Sequence, residues 1–185
     1  MQVRERGFTL IEILVAVVII GIVMSVAVLS LSLASDDREV KKEARRLISL
    51  LEVAQTDAMM QGREFGIEFM SGSYRFVEYD AEFNRWGEPL GDDSLRLWQL
   101  PEDYELTLYI EDKRILLEPE PRQISNDANA TQSSERYAPH LFVFSSGDST
   151  PFQLVITRRI DGLAAAIEGD LLGNLETVDV EEIGR

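Results

Sequence analysis

Hydrophobic and polar positions divide this chain into three regimes. Between Phe8 and Ala34 there is no Lys or Arg and one ionisable side chain, Glu12. The stretch from Ile13 to Ala34 is free of charge and reaches the roughly 20 residues that a bilayer crossing needs. From Asp36 to Gln61 the pattern turns amphipathic. Val40, Ala44, Leu47, Leu51, Ala54 and Ala58 recur at steps of three and four, which places them on one helical face. Lys41, Lys42, Arg45, Glu52 and Gln55 fall largely off that stripe, and Gly62 is placed to stop the helix. No proline lies between Phe8 and Gln61, so both stretches fit a single helix of about 80 Å. Gly21 and Ser25 allow a bend or a close helix contact within it.

Beyond Gly62 the period shortens. Phe65 to Phe69, Tyr74 to Tyr79 and Leu106 to Ile110 read as strands, rich in aromatic and branched residues. Further strands are predicted at Arg114 to Leu117, Leu141 to Phe144, Phe152 to Thr157, Leu163 to Ile167 and Thr177 to Val180. The segment from Glu118 to Pro139 is rich in Pro, Ser, Asn and Gln, and is expected to be a loop outside the core. One long helix followed by many short strands predicts an α+β fold, with the second half of the helix packed on a β-rich head.

Composition narrows the function. A formal charge of −15 disfavours phosphates and anionic lipid alike by long-range repulsion, so nucleic acid is not an expected partner. There is no cysteine, which removes disulfides, thiolate metal sites and cysteine nucleophiles. The one histidine, His140, lies between Pro139 and Leu141 and is expected to be structural. No phosphate-binding loop, paired-histidine metal motif, calcium loop or dinucleotide fingerprint is present, so neither an enzyme nor a cofactor is expected. Asp92, Asp93, Asp179, Glu181 and Glu182 lack a defined ligand spacing and read as solvated charge. The hydroxyl-rich run from Ser145 to Pro151 reads as a turn, and Trp86 and Trp98 as half-buried residues.

The N-terminal run allows three readings: a cleaved secretory signal, a plain anchor, or a leader whose apolar part survives processing. Secretory apolar regions are only about 7–15 residues long, shorter than this one. A plain anchor leaves Glu12 without a purpose, since a carboxylate in hydrocarbon costs roughly 2.5–3.5 kcal/mol on insertion scales. Flanking charge does not set the orientation. Arg4 and Arg6 precede the run, whereas Arg38, Lys41, Lys42, Arg45 and Arg46 follow it, a count that opposes a cytoplasmic N-terminus.

The residues Arg6-Gly7-Phe8-Thr9-Leu10-Ile11-Glu12, with the apolar run behind them, resemble the processing site of type IV prepilins and pseudopilins. The resemblance implies that a prepilin peptidase cuts between Gly7 and Phe8 and methylates the new amine of Phe8. Glycine suits such a cut because it lets a protease approach the backbone closely. Loss of residues 1–7 removes two basic residues and one acidic residue, which moves the balance from −15 to −16. Glu12 lies four residues after Phe8, on the same helical face, and can neutralise its own or a neighbour's N-terminal amine during assembly.

The stretch from Ala44 to Ala58, the strands between Glu64 and Tyr79, Trp86-Gly87-Glu88-Pro89-Leu90 and Ser146 to Phe152 further resemble the H-type minor pseudopilins of type II secretion. Four segments are then expected: a leader at 1–7, a membrane and assembly helix at 8–34, its amphipathic continuation at 35–62, and a periplasmic head at 63–185. The implied partners are other pseudopilins, the prepilin peptidase and an inner-membrane assembly platform, with secreted substrate or an outer-membrane secretin as further candidates. The implied location is the bacterial inner membrane, crossed once. The rival expectation is a minor pilin of a type IV pilus, which shares the leader and the long helix.

Overall fold

The computed structural model describes residues 10–89, 93–121, 137–178 and 180–183, without the side chains of 26–37, Asp93 and Glu182. The chain divides into two units, Met1–Arg38 and Glu39–Arg185. In the first unit the described residues are helical. They begin α1, which runs Leu10–Gln61. Within this part Ser25 Oγ donates to the Gly21 carbonyl at 2.8 Å, one turn back along the helix.

The second unit holds the rest of α1 and two antiparallel sheets. Strands β1 (Phe65–Met70), β2 (Ser73–Asp80), β3 (Arg85–Gly87) and β7 (Leu141–Val143) form the first, in the order β3-β2-β1-β7. The short β4 (Trp98–Gln99) pairs with the start of β2 through Tyr74 and Ser73. The second sheet runs β10-β9-β8-β5-β6, from β5 (Tyr104–Ile110), β6 (Lys113–Ile115), β8 (Phe152–Arg158), β9 (Ala164–Gly169) and β10 (Leu175–Val178).

All six residues of the sequence-derived helical stripe, from Val40 to Ala58, are buried, and they join one core with both sheets. Phe65, Ile67 and Phe69 enter it from β1, Tyr74 and Phe76 from β2, Leu106 and Leu108 from β5, and Leu154 and Ile156 from β8. The alternation of β5 follows the period of a strand buried on one face. Fully burying one such side chain contributes about 1.5–3 kcal/mol, so the core stabilises this part of α1 far more than helix propensity can. The helix stops at Gly62, whose φ of +67° is open to glycine without strain. The Arg63 N–H then reaches back to the Ala58 carbonyl at 3.2 Å, closing a glycine-type helix end.

The predicted strands are all present with shifted ends, whereas β3 and β4 carried too few residues to show a period. In the segment 118–139, expected to be a loop, residues 118–121 and 137–139 form no helix or strand. Residues 122–136 lie outside the described part, but Tyr137 and Pro139 are half-buried against the outer face of the first sheet. A Cβ on Gly66 would lie 2.6 Å from Pro139 Cβ and 3.1 Å from the Trp86 ring, so that approach needs glycine.

Candidate assembly site

The expected processing residues Gly7 and Phe8 lie outside the described residues. Glu12 sits in the first turn of α1, where the helix dipole favours a carboxylate, and its side chain is exposed. Around it the helix is apolar on every side. The large apolar side chains from Leu10 to Met24 are 49–84% exposed in the single chain. Such a surface has no stable place in water and needs lipid or other helices around it. Among the described residues no helix is long and apolar enough to cross a membrane, and the side chains of the run are described only as far as Ser25.

Among the described residues, polar contacts join the second half of α1 to the head near its start, at its middle and near its end. Near its start, Arg158 of β8 is 7% exposed and donates to Glu39 at 3.3 Å and to Asp161 at 3.1 Å from Nε. That guanidinium, with the amide of Leu163, holds the Asp161 carboxyl below the usual carboxylate range. One turn on, the Arg46 guanidinium stacks over Trp98 with 3.5 Å between its carbon and the ring centre, and the indole N–H donates to Glu43 at 3.3 Å. Near its end, Gln55 Nε2 donates to the Gly173 carbonyl at 2.8 Å.

The remaining candidates take structural roles. His140 Nδ1 accepts the Phe69 amide at 3.1 Å and its ring lies against Phe69. Trp86 and Trp98 are half-buried, as the sequence led one to expect. The run from Ser145 to Pro151 forms a turn, fastened by Ser149 Oγ donating to the Asp170 carbonyl at 2.9 Å. Among the described residues no group of three or more His, Cys, Asp or Glu can hold a metal ion.

The second half of α1 packs on two sheets, and the described start of the helix carries exposed apolar side chains. Residues 3–28 match the prokaryotic N-terminal methylation motif, and residues 43–173 match the family described as type II transport protein GspH. The chain belongs to the GspH family. It is 35% identical to the type II secretion system protein H of Pseudomonas aeruginosa, over 90% of this chain and 91% of that one. With the protein of the same name from Aeromonas hydrophila the identity is 28%, over 97% and 96%.

Solved structures agree on the fold. The minor pseudopilin EpsH of Vibrio cholerae superposes with a TM-score of 0.57 at 22% identity, over 78% of this chain and 99% of that one. The solution structure of Escherichia coli GspH gives 0.55 at 19% identity, over 79% and 92%. As a GspH member the chain is an H-type minor pseudopilin of type II secretion, which sets aside the type IV pilus alternative. The methylation motif marks the start of α1 as the pilin-type anchor. Sequence reasoning missed the clamps at Arg158, Arg46 and Gln55, because their partners Glu39, Trp98 and Gly173 lie 119, 52 and 118 positions away.

Proposed function

We propose that this minor pseudopilin is a non-enzymatic subunit that enters the pseudopilus through the first half of α1 and helps folded proteins leave across the outer membrane. The observation that carries this reading is Glu12, an exposed carboxylate at the start of a helix whose other large side chains there are apolar and equally exposed. Cleavage after Gly7 creates the cation that answers it, the methylated amine of Phe8. In hydrocarbon neither charge is stable alone, so the amine of one subunit and the Glu12 of its neighbour set the axial register between them.

Before assembly the apolar run sits in the inner membrane with the head in the periplasm. The partners are other pseudopilins, the prepilin peptidase and the inner-membrane platform, with contact to cargo or to the outer-membrane secretin at the end of the fibre. The test is the mature N-terminus by intact mass in cells with and without the peptidase, beside secretion of cargo. The expected result is a methylated Phe8 start, a Gly7→Asp chain left uncut, and Glu12→Gln cut normally but failing to support secretion. A Met1 start in cells holding the peptidase overturns the processing step, and full secretion by Glu12→Gln overturns the role of the carboxylate.

A further inference from the structure

Single exposed apolar side chains are ordinary on a protein surface, but a group of them on adjoining segments is not. At the C-terminal end of α1 Met59 is 55% exposed, and two turns that meet the helix there carry Phe144 (40%), Leu171 (60%) and Leu172 (72%). Met59 reaches over the first turn, its Sδ 3.2 Å from where a Cβ on Gly147 would stand. One helical turn earlier, Gln55 Nε2 donates to the Gly173 carbonyl, which ties α1 to the turn between β9 and β10. The two turns are joined to each other, since the Ser149 N–H donates to the Leu171 carbonyl at 3.0 Å. Phe144 is steadied by Phe142, its ring stacked on that neighbour at 6.3 Å. The patch is therefore fastened before any partner arrives, which lowers the entropy cost of docking. The charges around it are of one sign. Residues 52–61, 144–149 and 170–176 carry Glu52, Asp57, Asp148, Asp170 and Glu176, and no Lys or Arg. The next basic residue along the chain after α1, Arg63, is engaged by Glu78.

We propose that Met59, Phe144, Leu171 and Leu172 form a docking surface for a protein segment that presents apolar side chains bordered by Lys or Arg. The apolar side chains supply the affinity, and the carboxylates select the sign of the partner. A second copy of this chain is the wrong occupant, because it brings the same carboxylates and a net charge of −15. Anionic lipid is repelled for the same reason. The surface belongs to the second unit and does not depend on Glu12 or on cleavage after Gly7, so it and assembly through the first half of α1 can fail separately.

The experiment uses the full chain in phosphatidylcholine nanodiscs and a pair of fluorescein-labelled helical peptides of about 18 residues. One peptide has a leucine face bordered by lysine, and the other the same face bordered by glutamate. Fluorescence anisotropy reads binding, with empty discs as the reference. The lysine peptide is expected to bind loaded discs about tenfold more tightly than empty discs, and more tightly than the glutamate peptide does. Leu171→Ser with Leu172→Ser, at two exposed positions, should weaken that binding about tenfold and leave the circular dichroism spectrum unchanged. Glu52→Lys with Asp148→Lys should move the preference towards the glutamate peptide, while Asp170 keeps its hold on Asn174. Equal binding to loaded and empty discs overturns the proposal and assigns the affinity to lipid. An undiminished affinity in the serine variant, or an unmoved preference in the lysine variant, overturns it as well. Self-association of the wild-type chain that the serine variant abolishes overturns it in favour of a second copy.

Discussion

Arg46 and Trp98 are stacked face to face, the guanidinium carbon 3.5 Å from the ring centre, and this pair joins α1 to the short strand β4. The indole N–H is used in the same contact, donating to Glu43 three residues back along the helix. Trp98→Ala is expected to lower the unfolding free energy of the full chain in detergent by about 2–4 kcal/mol, from lost area, lost cation–π attraction and the unpaired Glu43. Trp98→Phe keeps the stacking and should cost about half as much. Urea unfolding followed by circular dichroism checks both, and an Ala variant as stable as wild type would show that the stack holds nothing together.

Tyr74 lies under the same helix, 1% exposed, and its hydroxyl has no hydrogen-bond partner among the described residues. Burial pushes the phenol up to about 12 from its usual 10, against the pull of nearby Arg46. Above pH 10 the unfolded chain releases this proton and the folded chain keeps it, so stability is complete below about pH 10 and falls towards pH 12, by at most about 1.4 kcal/mol per pH unit. Tyr74→Phe should lessen the alkaline loss. At neutral pH it should leave stability equal or raise it by up to about 1 kcal/mol, since it removes a buried hydroxyl without breaking a bond. Unfolding midpoints from pH 7 to about 12 separate these outcomes.

On the outer face of the first sheet, Glu68 of β1 and Arg75 of β2 form a pair at 2.7 Å, 4% and 9% exposed, with Tyr137 over the guanidinium. They face each other in register, so neither can turn to solvent without leaving the other charge buried. Glu68→Leu alone is expected to destabilise by about 3–5 kcal/mol, whereas Glu68→Leu with Arg75→Met should recover most of that loss. The double variant tested by urea unfolding is the decisive one, because equal losses in the single and double variants would contradict the mutual dependence of the two charges.

Arg158 holds Asp161 and Glu39, and it keeps the Asp161 carboxyl below its usual range. The stabilisation is present above the unfolded carboxylate range and is lost as acid titrates Asp161 in the folded state. Arg158→Met should therefore flatten part of the stability loss seen as pH falls below about 4, while lowering the unfolding midpoint at neutral pH. Thermal unfolding at a series of acidic pH values checks the slope. An unchanged slope would mean that Asp161 is held low by its backbone contacts rather than by Arg158.

The sequence by itself determined the features whose cause is local. An apolar run of the right length, a glycine before Phe8, Glu12 four residues later and a three-four stripe from Val40 to Ala58 each rest on neighbours a turn away, so their periods can be read along the chain. The long strands were legible for the same reason. Tertiary structure alone decided what depends on distant partners. It paired Phe65 with both Glu78 and Val143, folded Tyr137 and Pro139 back over the first sheet, and made two-residue β4 a strand by placing it beside Tyr74. It also brought Glu39, Glu43 and Arg46 into contact with the head, through Arg158 and Trp98. No local pattern distinguishes these residues, because which charge is taken up depends on where Trp98 and Arg158 arrive from the far end of the fold, and loop closure over such separations leaves no periodic trace in sequence.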